Sequence, residues 1–157
     1  KMKQTYFLAT IALFLALTAC QKPLPIEDEK QQTIEVSYDN LEGCWRLTHL
    51  NGEPLLDESM MYIDFVAPAK DGEVARYEMW DNLGSMYLRQ TTGTYTITKE
   101  KNDTYTLRGT YDNGVGDWNE EYRVDLFQND RMLWWARTSG VCMEFIFAIE
   151  KPEEFYN

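Results

Sequence analysis

From Gly43 onward, apolar and polar residues alternate in short runs, a turn-forming cluster interrupts them, and the alternation resumes. No window of this stretch sustains a helical period, and period-two alternation between regularly spaced breakers is the pattern of an antiparallel sandwich or barrel. In Thr104-Tyr105-Thr106-Leu107-Arg108-Gly109-Thr110-Tyr111 the Thr and Arg residues point one way and the Tyr and Leu residues the other, so one face is wet and the other buried. Strands are expected at about 43–50, 60–67, 73–80, 85–99, 104–111, 119–127, 131–137 and 141–150. The breakers between them include Asn51-Gly52-Glu53-Pro54, Pro68 to Gly72, Asp81-Asn82-Leu83-Gly84 and Asp112 to Gly116.

The same rule places Trp45, Leu47, Met61, Ile63, Phe65, Tyr77, Met79, Leu88, Tyr95, Ile97, Tyr105, Leu107, Tyr122, Val124 and Leu126 inward. It places Arg46, Thr48, Asp64, Arg76, Glu78, Arg89, Thr96, Arg123 and Asp125 outward. A two-residue turn at Asn129-Asp130 pairs Leu126 with Leu133 and Val124 with Trp135, which turns Leu133, Trp135 and Arg137 inward. A three-residue turn Thr138-Ser139-Gly140, with Gly140 left-handed, then sets Trp135 opposite Met143 and Leu133 opposite Phe145. The expected fold is all-β, an antiparallel eight-stranded up-and-down barrel, since an even strand count lets the first and last strands pair and removes both edges.

The segment before the barrel has a different character. Lys1 and Lys3 precede an apolar run from Tyr6 to Leu17, too short for a spanning helix and shaped like a secretory signal. Leu17-Thr18-Ala19-Cys20 resembles the lipobox of bacterial lipoproteins, which implies a signal peptide over 1–19 and acyl chains on Cys20 that hold the protein at a membrane. The same resemblance implies, from Gln21 at the next position, the outer membrane of the cell envelope. The polar stretch to Asn40 cannot bury enough apolar surface to offset its ordering entropy and reads as a flexible tether over 20–40. Ile34, Val36 and Tyr38 alternate, however, so its end is suited to dock on a domain that occupies 41–157.

Gly43-Cys44-Trp45 opens the first strand, and Gly-x-Trp at the start of about eight antiparallel strands resembles the lipocalin-like barrels of the calycin group. Thr92-Gly93-Thr94-Tyr95-Thr96-Ile97 resembles the Gly-x-Tyr strand of small lipocalin-like domains in envelope lipoproteins. The resemblance implies structural roles for Gly43 and for Trp45, packed at the closed end, with Lys151 in the place of the basic residue that covers the Trp. It also implies a barrel that either holds one small ligand or fills itself with side chains.

With eight alternating strands, the open mouth takes the connections 51–59, 81–84, 112–118 and 138–140, which brings His49, Tyr77, Met79, Trp118, Trp135 and Arg137 into consideration as ligand contacts. An inward Arg137 would pair with an anionic group on an otherwise apolar ligand; alternatively it bends out to solvent and Trp135 is plain core. Trp118, at the tip of a Gly-containing loop, either stands out to stack on a sugar or partner, or folds back as a lid.

Other chemistries have little footing. With 26 acidic against 15 basic residues the net charge is −11, and no basic block offers a nucleic-acid surface. His49 is the single His and has no nucleophile motif beside it, so no catalytic residue is assigned. Asp112 and Asp117 lack the spacing of a calcium loop, and neither a metal site nor a cofactor motif is found. Cys44 and Cys142 begin strands that run in opposite directions, roughly 20–25 Å apart at ~3.3 Å per residue, and are expected to be two thiols. Two functions remain: an anchored barrel that carries a small ligand, and a filled barrel whose mouth loops contact an envelope protein or glycan.

Overall fold

The computed structural model describes residues 32–149 apart from 71 and 115; the proposed signal peptide, Cys20 and Lys151 lie outside the described residues. In chain order the elements are β1 (Thr33–Ile34), α1 (Tyr38–Leu41), β2 (Gly43–Leu50), β3 (Glu53–Pro54), β4 (Met61–Val66), β5 (Arg76–Asp81), β6 (Arg89–Lys99), β7 (Tyr105–Tyr111), β8 (Tyr122–Phe127), β9 (Arg131–Ala136) and β10 (Cys142–Phe147). Strands β4 to β10 each pair antiparallel with their sequence neighbours, and β2 pairs with both β4 and β10. The eight long strands therefore close into one up-and-down barrel with no free edge, as the alternation predicts.

The core follows from the same alternation. Ile63, Phe65, Tyr77, Tyr95, Leu107, Val124 and Leu126 are all buried on the inner face. Trp134 is its centre, with its ring 4.8 Å from Phe145, 5.0 Å from Tyr122, 5.7 Å from Trp118 and 6.0 Å from Phe65.

The base is plugged by the segment preceding β2. Ser37 caps α1, its hydroxyl accepting the Asn40 N–H at 3.2 Å. The short helix turns Leu41 fully into the core beside Val36. The Trp45 indole donates to the Leu41 carbonyl at 2.9 Å, while β1 continues the sheet along β8 where β7 has ended, pairing Ile34 with Leu126. Gly43 adopts φ 111°, and a Cβ there would meet the Phe147 ring at 2.7 Å; that ring stands edge-on to Trp45. Gly43 and Trp45 thus serve the closed end, with Phe147 as the covering group among the described residues.

Three details of register correct the expectations. The β8–β9 hairpin closes with Phe127 opposite Arg131, so its loop is Gln128-Asn129-Asp130, with Asp130 at φ 58°. Leu126 consequently pairs with Met132 and Val124 with Trp134; Met132, Trp134 and Ala136 face inward, and Leu133, Trp135 and Arg137 face outward. The next loop is also longer by one residue. Ala136 N–H donates to Val141 O across Arg137 to Gly140, with Gly140 left-handed at φ 72°. The two displacements offset each other, so Met143 and Phe145 still pack against the core, opposite Trp134 and Met132.

The third correction lies in β2. Its pairing with β10 slips by one residue beyond Leu47, where Thr48 is bulged and its hydroxyl donates to Glu144 O at 3.1 Å. His49 therefore lies on the outer face, 3.9 Å from Glu144 Oε2, although simple alternation from Trp45 and Leu47 would turn it in.

Candidate functional site

The mouth is where the barrel is not filled. Tyr77, Tyr95, Phe65 and Trp134 occupy the interior below it. Above them lies a cavity of about 250 Å³, opening between the 81–89 and 116–122 segments.

Trp118 forms one wall because the loop that carries it folds back on β7. Tyr111 N–H donates to Gly116 O at 2.9 Å and Trp118 N–H to Gly109 O at 2.8 Å, filling the gap beside β8. The indole lies over Gly109, where a Cβ would fall within 2.6 Å of its Cδ2, and its N–H donates to the Tyr77 hydroxyl at 2.8 Å. Gly93 is required first by the Thr110 carbonyl, 1.8 Å from where a Cβ would stand, and it also makes room for Tyr77, whose Cε1 and hydroxyl would both lie 2.7 Å away. Two glycines on the inner face thus leave space for two large rings to meet edge to face across the mouth, their centres 5.0 Å apart. Trp118 is a lid on the core and not an exposed tip.

The remaining walls are thioethers and rings: Met61, Met79 and Met143 from three strands, with Tyr122 and Trp134 beneath. The rim is polar. Asp81, buried at the end of β5, accepts the Leu83 N–H at 3.1 Å and is ion-paired with Arg89, whose guanidinium also donates to Leu83 O at 3.1 Å. Tyr111 and Asn119 complete that side. Burial, with the nearby Asp81 carboxylate adding to it, raises the Tyr111 phenol above its usual range, so the rim presents a neutral hydroxyl.

Of the residues the sequence proposes as ligand contacts, Met79 and Trp118 line the cavity. Tyr77 lies just below it, with its hydroxyl donating to Thr110 O at 3.2 Å as well as accepting from Trp118. Trp135, Arg137 and His49 do not reach it. Trp135 packs outside under the Arg123 guanidinium, 5.2 Å from the ring centre. Arg137 donates to Thr106 Oγ1 at 2.8 Å and Glu100 Oε1 at 3.0 Å on the outer surface. Leu88 is exposed and Arg89 lines the cavity, the reverse of the expected faces, because β6 begins at Arg89. Residues 85–88 instead belong to a loop held by Ser85 N–H to Asn82 O and Tyr87 N–H to Ser85 Oγ.

Cys44 and Cys142 are both thiols, and burial raises the Cys142 thiol. Among the described residues no group of three His, Cys, Asp or Glu side chains is placed to hold a metal ion.

A closed up-and-down barrel with a plugged base and a cavity at its mouth is the architecture of a lipocalin-type binding barrel. The chain belongs to the lipocalin-like domain family, whose model matches residues 41–133, more than half of its length. No curated protein and no solved structure matches it significantly. Proteins of this family are generally non-enzymatic binding proteins, and the barrel suggests the binding or carriage of a small ligand.

Proposed function

We propose that this protein is a lipid-anchored lipoprotein of the cell envelope, held at the outer membrane through Cys20, whose barrel binds or carries a small, partly apolar ligand. The observation that carries this reading is the mouth cavity, apolar on its walls and polar on one side of its rim. Such a division buries the body of a ligand and fixes its orientation through a few polar groups.

Native mass spectrometry of the purified protein tests the ligand: a co-purifying mass lost on denaturation is expected, and its absence from every preparation counts against carriage. For the anchor, Cys20→Ala protein is expected in the soluble fraction; membrane fractionation unchanged by the substitution would remove the lipid from the proposal.

A second reading rests on the loops around the mouth, where Leu56, Met86 and Tyr87 are 79%, 90% and 77% exposed. Apolar residues so exposed suit contact with an envelope protein or glycan. On this reading, substituting Met86 and Tyr87 by Ser abolishes partner cross-linking while any small-molecule binding is kept.

A further inference from the structure

We infer that the ligand of the mouth cavity is a small organic cation, an ammonium group on a compact apolar body, received by Asp81. This rests on the cavity being a ligand site and specifies what enters it.

Asp81 is the only buried carboxylate among the described residues, and Asp81 and Arg89 are the only charged side chains lining the cavity. The two are not equivalent. The Asp81 side chain is 9% exposed and fixed at the end of β5 by the Leu83 N–H, whereas the Arg89 side chain is 57% exposed. Arg89 therefore loses little by turning out into water, since an exposed guanidinium is well hydrated. Asp81 left behind is a buried charge that needs a new partner. A ligand ammonium supplies one and takes the place of the guanidinium. An anionic ligand would find its only cation already shared with Asp81 and would sit close to that carboxylate, which repels it.

The walls favour the same sign. Tyr111, Trp118, Tyr122 and Trp134 all border the cavity, and aromatic faces attract cations, most strongly where water is excluded. The net charge of −11 favours the approach of cations and opposes that of anions. The size is restrictive too. About 250 Å³ falls just below the roughly 300–1,000 Å³ of ordinary small-molecule sites, so the body is about one ring or a short chain.

The test uses three probes of similar shape, 2-phenylethylammonium, 2-phenylethanol and 3-phenylpropionate, titrated into the intact protein while the Trp118 indole N–H resonance is followed by NMR. The ammonium is expected to bind at least about ten-fold more tightly than either other probe. Asp81→Asn should reduce its affinity to about that of the alcohol while leaving the alcohol unchanged. Arg89→Gln, which removes the competing cation, should tighten the ammonium several-fold. It also keeps the inference open to refutation where Asp81→Asn fails to fold. Equal binding of all three probes, preference for the carboxylate, or weaker ammonium binding by Arg89→Gln overturns the cation and leaves the cavity as a ligand site. If no probe shifts the Trp118 resonance at millimolar concentration, the ligand site itself falls, and the cation with it.

Discussion

Replacing Gly109 by Ala should evict the Trp118 ring from the barrel mouth. A Cβ at Gly109 would lie 2.2 Å from Trp118 Cε2 and 2.6 Å from Cδ2, so the indole must retreat by roughly 1.5 Å to reach ordinary contact. Tyr77, Trp134 and Tyr122 hold it with ring centres at 5.0, 5.7 and 5.9 Å, so its way out is through the mouth cavity that it borders. A half-buried Trp that loses about 100 Å² of apolar contact forfeits about 2.5 kcal/mol at ~25 cal/mol per Å². Breaking the 2.8 Å bond to the Tyr77 hydroxyl adds about 1 kcal/mol. Gly109 is not in the left-handed region, so Ala recovers about 0.5 kcal/mol from the stiffer unfolded chain. The net cost is about 3 kcal/mol.

The double-mutant cycle with Trp118→Ala isolates the cause. Trp118→Ala alone should cost about 3.5 kcal/mol, and Gly109→Ala in that background should be neutral or slightly stabilising, since the ring it collides with is gone. Urea unfolding followed by far-UV circular dichroism, with unchanged slopes, supplies the four free energies. If the two single costs simply add, to within about 0.5 kcal/mol, then Gly109 does not serve to seat Trp118 and the account of the mouth is wrong.

Three further outcomes follow from packing and charge. Burial, partly offset by the Trp118 N–H, holds the Tyr77 phenol up at about 12 against 10.0 in a free chain, and burial raises Tyr95, Tyr111 and Tyr122 as well. The unfolded chain therefore releases these protons first: stability is full below pH 10 and is lost as pH rises toward 12. Tyr77 alone accounts for about 2–3 kcal/mol, which urea midpoints across that window will measure. Leu41→Ala, at a fully buried position in the base plug, should cost about 2–5 kcal/mol, whereas Leu56→Ala in a mouth loop should stay within about 0.5 kcal/mol. Arg137→Ala removes contacts to Glu100 and Thr106 on the outer surface, so it should cost under about 1 kcal/mol and leave small-molecule affinity unchanged; a loss of affinity would place Arg137 in the site after all.

Strand positions were legible because alternation is a local property: each run from Trp45 to Phe145 carries its own record of which face is dry. Register between strands is not local, and it depended on turns whose chemistry the residue names left open. Asn129-Asp130 fits a two-residue hairpin turn, but Asp also tolerates a left-handed conformation, and here it is the third residue of a longer loop. That single residue exchanges Trp135 for Trp134 at the centre of the core and carries Arg137 out of the barrel. The bulge at Thr48 does the same to His49.

The rim of the site was hidden for a different reason. Tyr77, Met79 and Asp81 alternate onto one face, so the pattern already pointed Asp81 inward, yet a carboxylate at a strand end resembles a turn residue and its burial depends on Arg89 eight positions away. The inner-face glycines were the more informative signal. Gly93 and Gly109 fall where alternation calls for a large apolar side chain, and a gap of that kind on a buried face means that another group fills it. Following that rule from Gly109 leads to Trp118, and from Trp118 to the cavity. The mouth is thus specified less by the residues that point into it than by two that have no side chain at all.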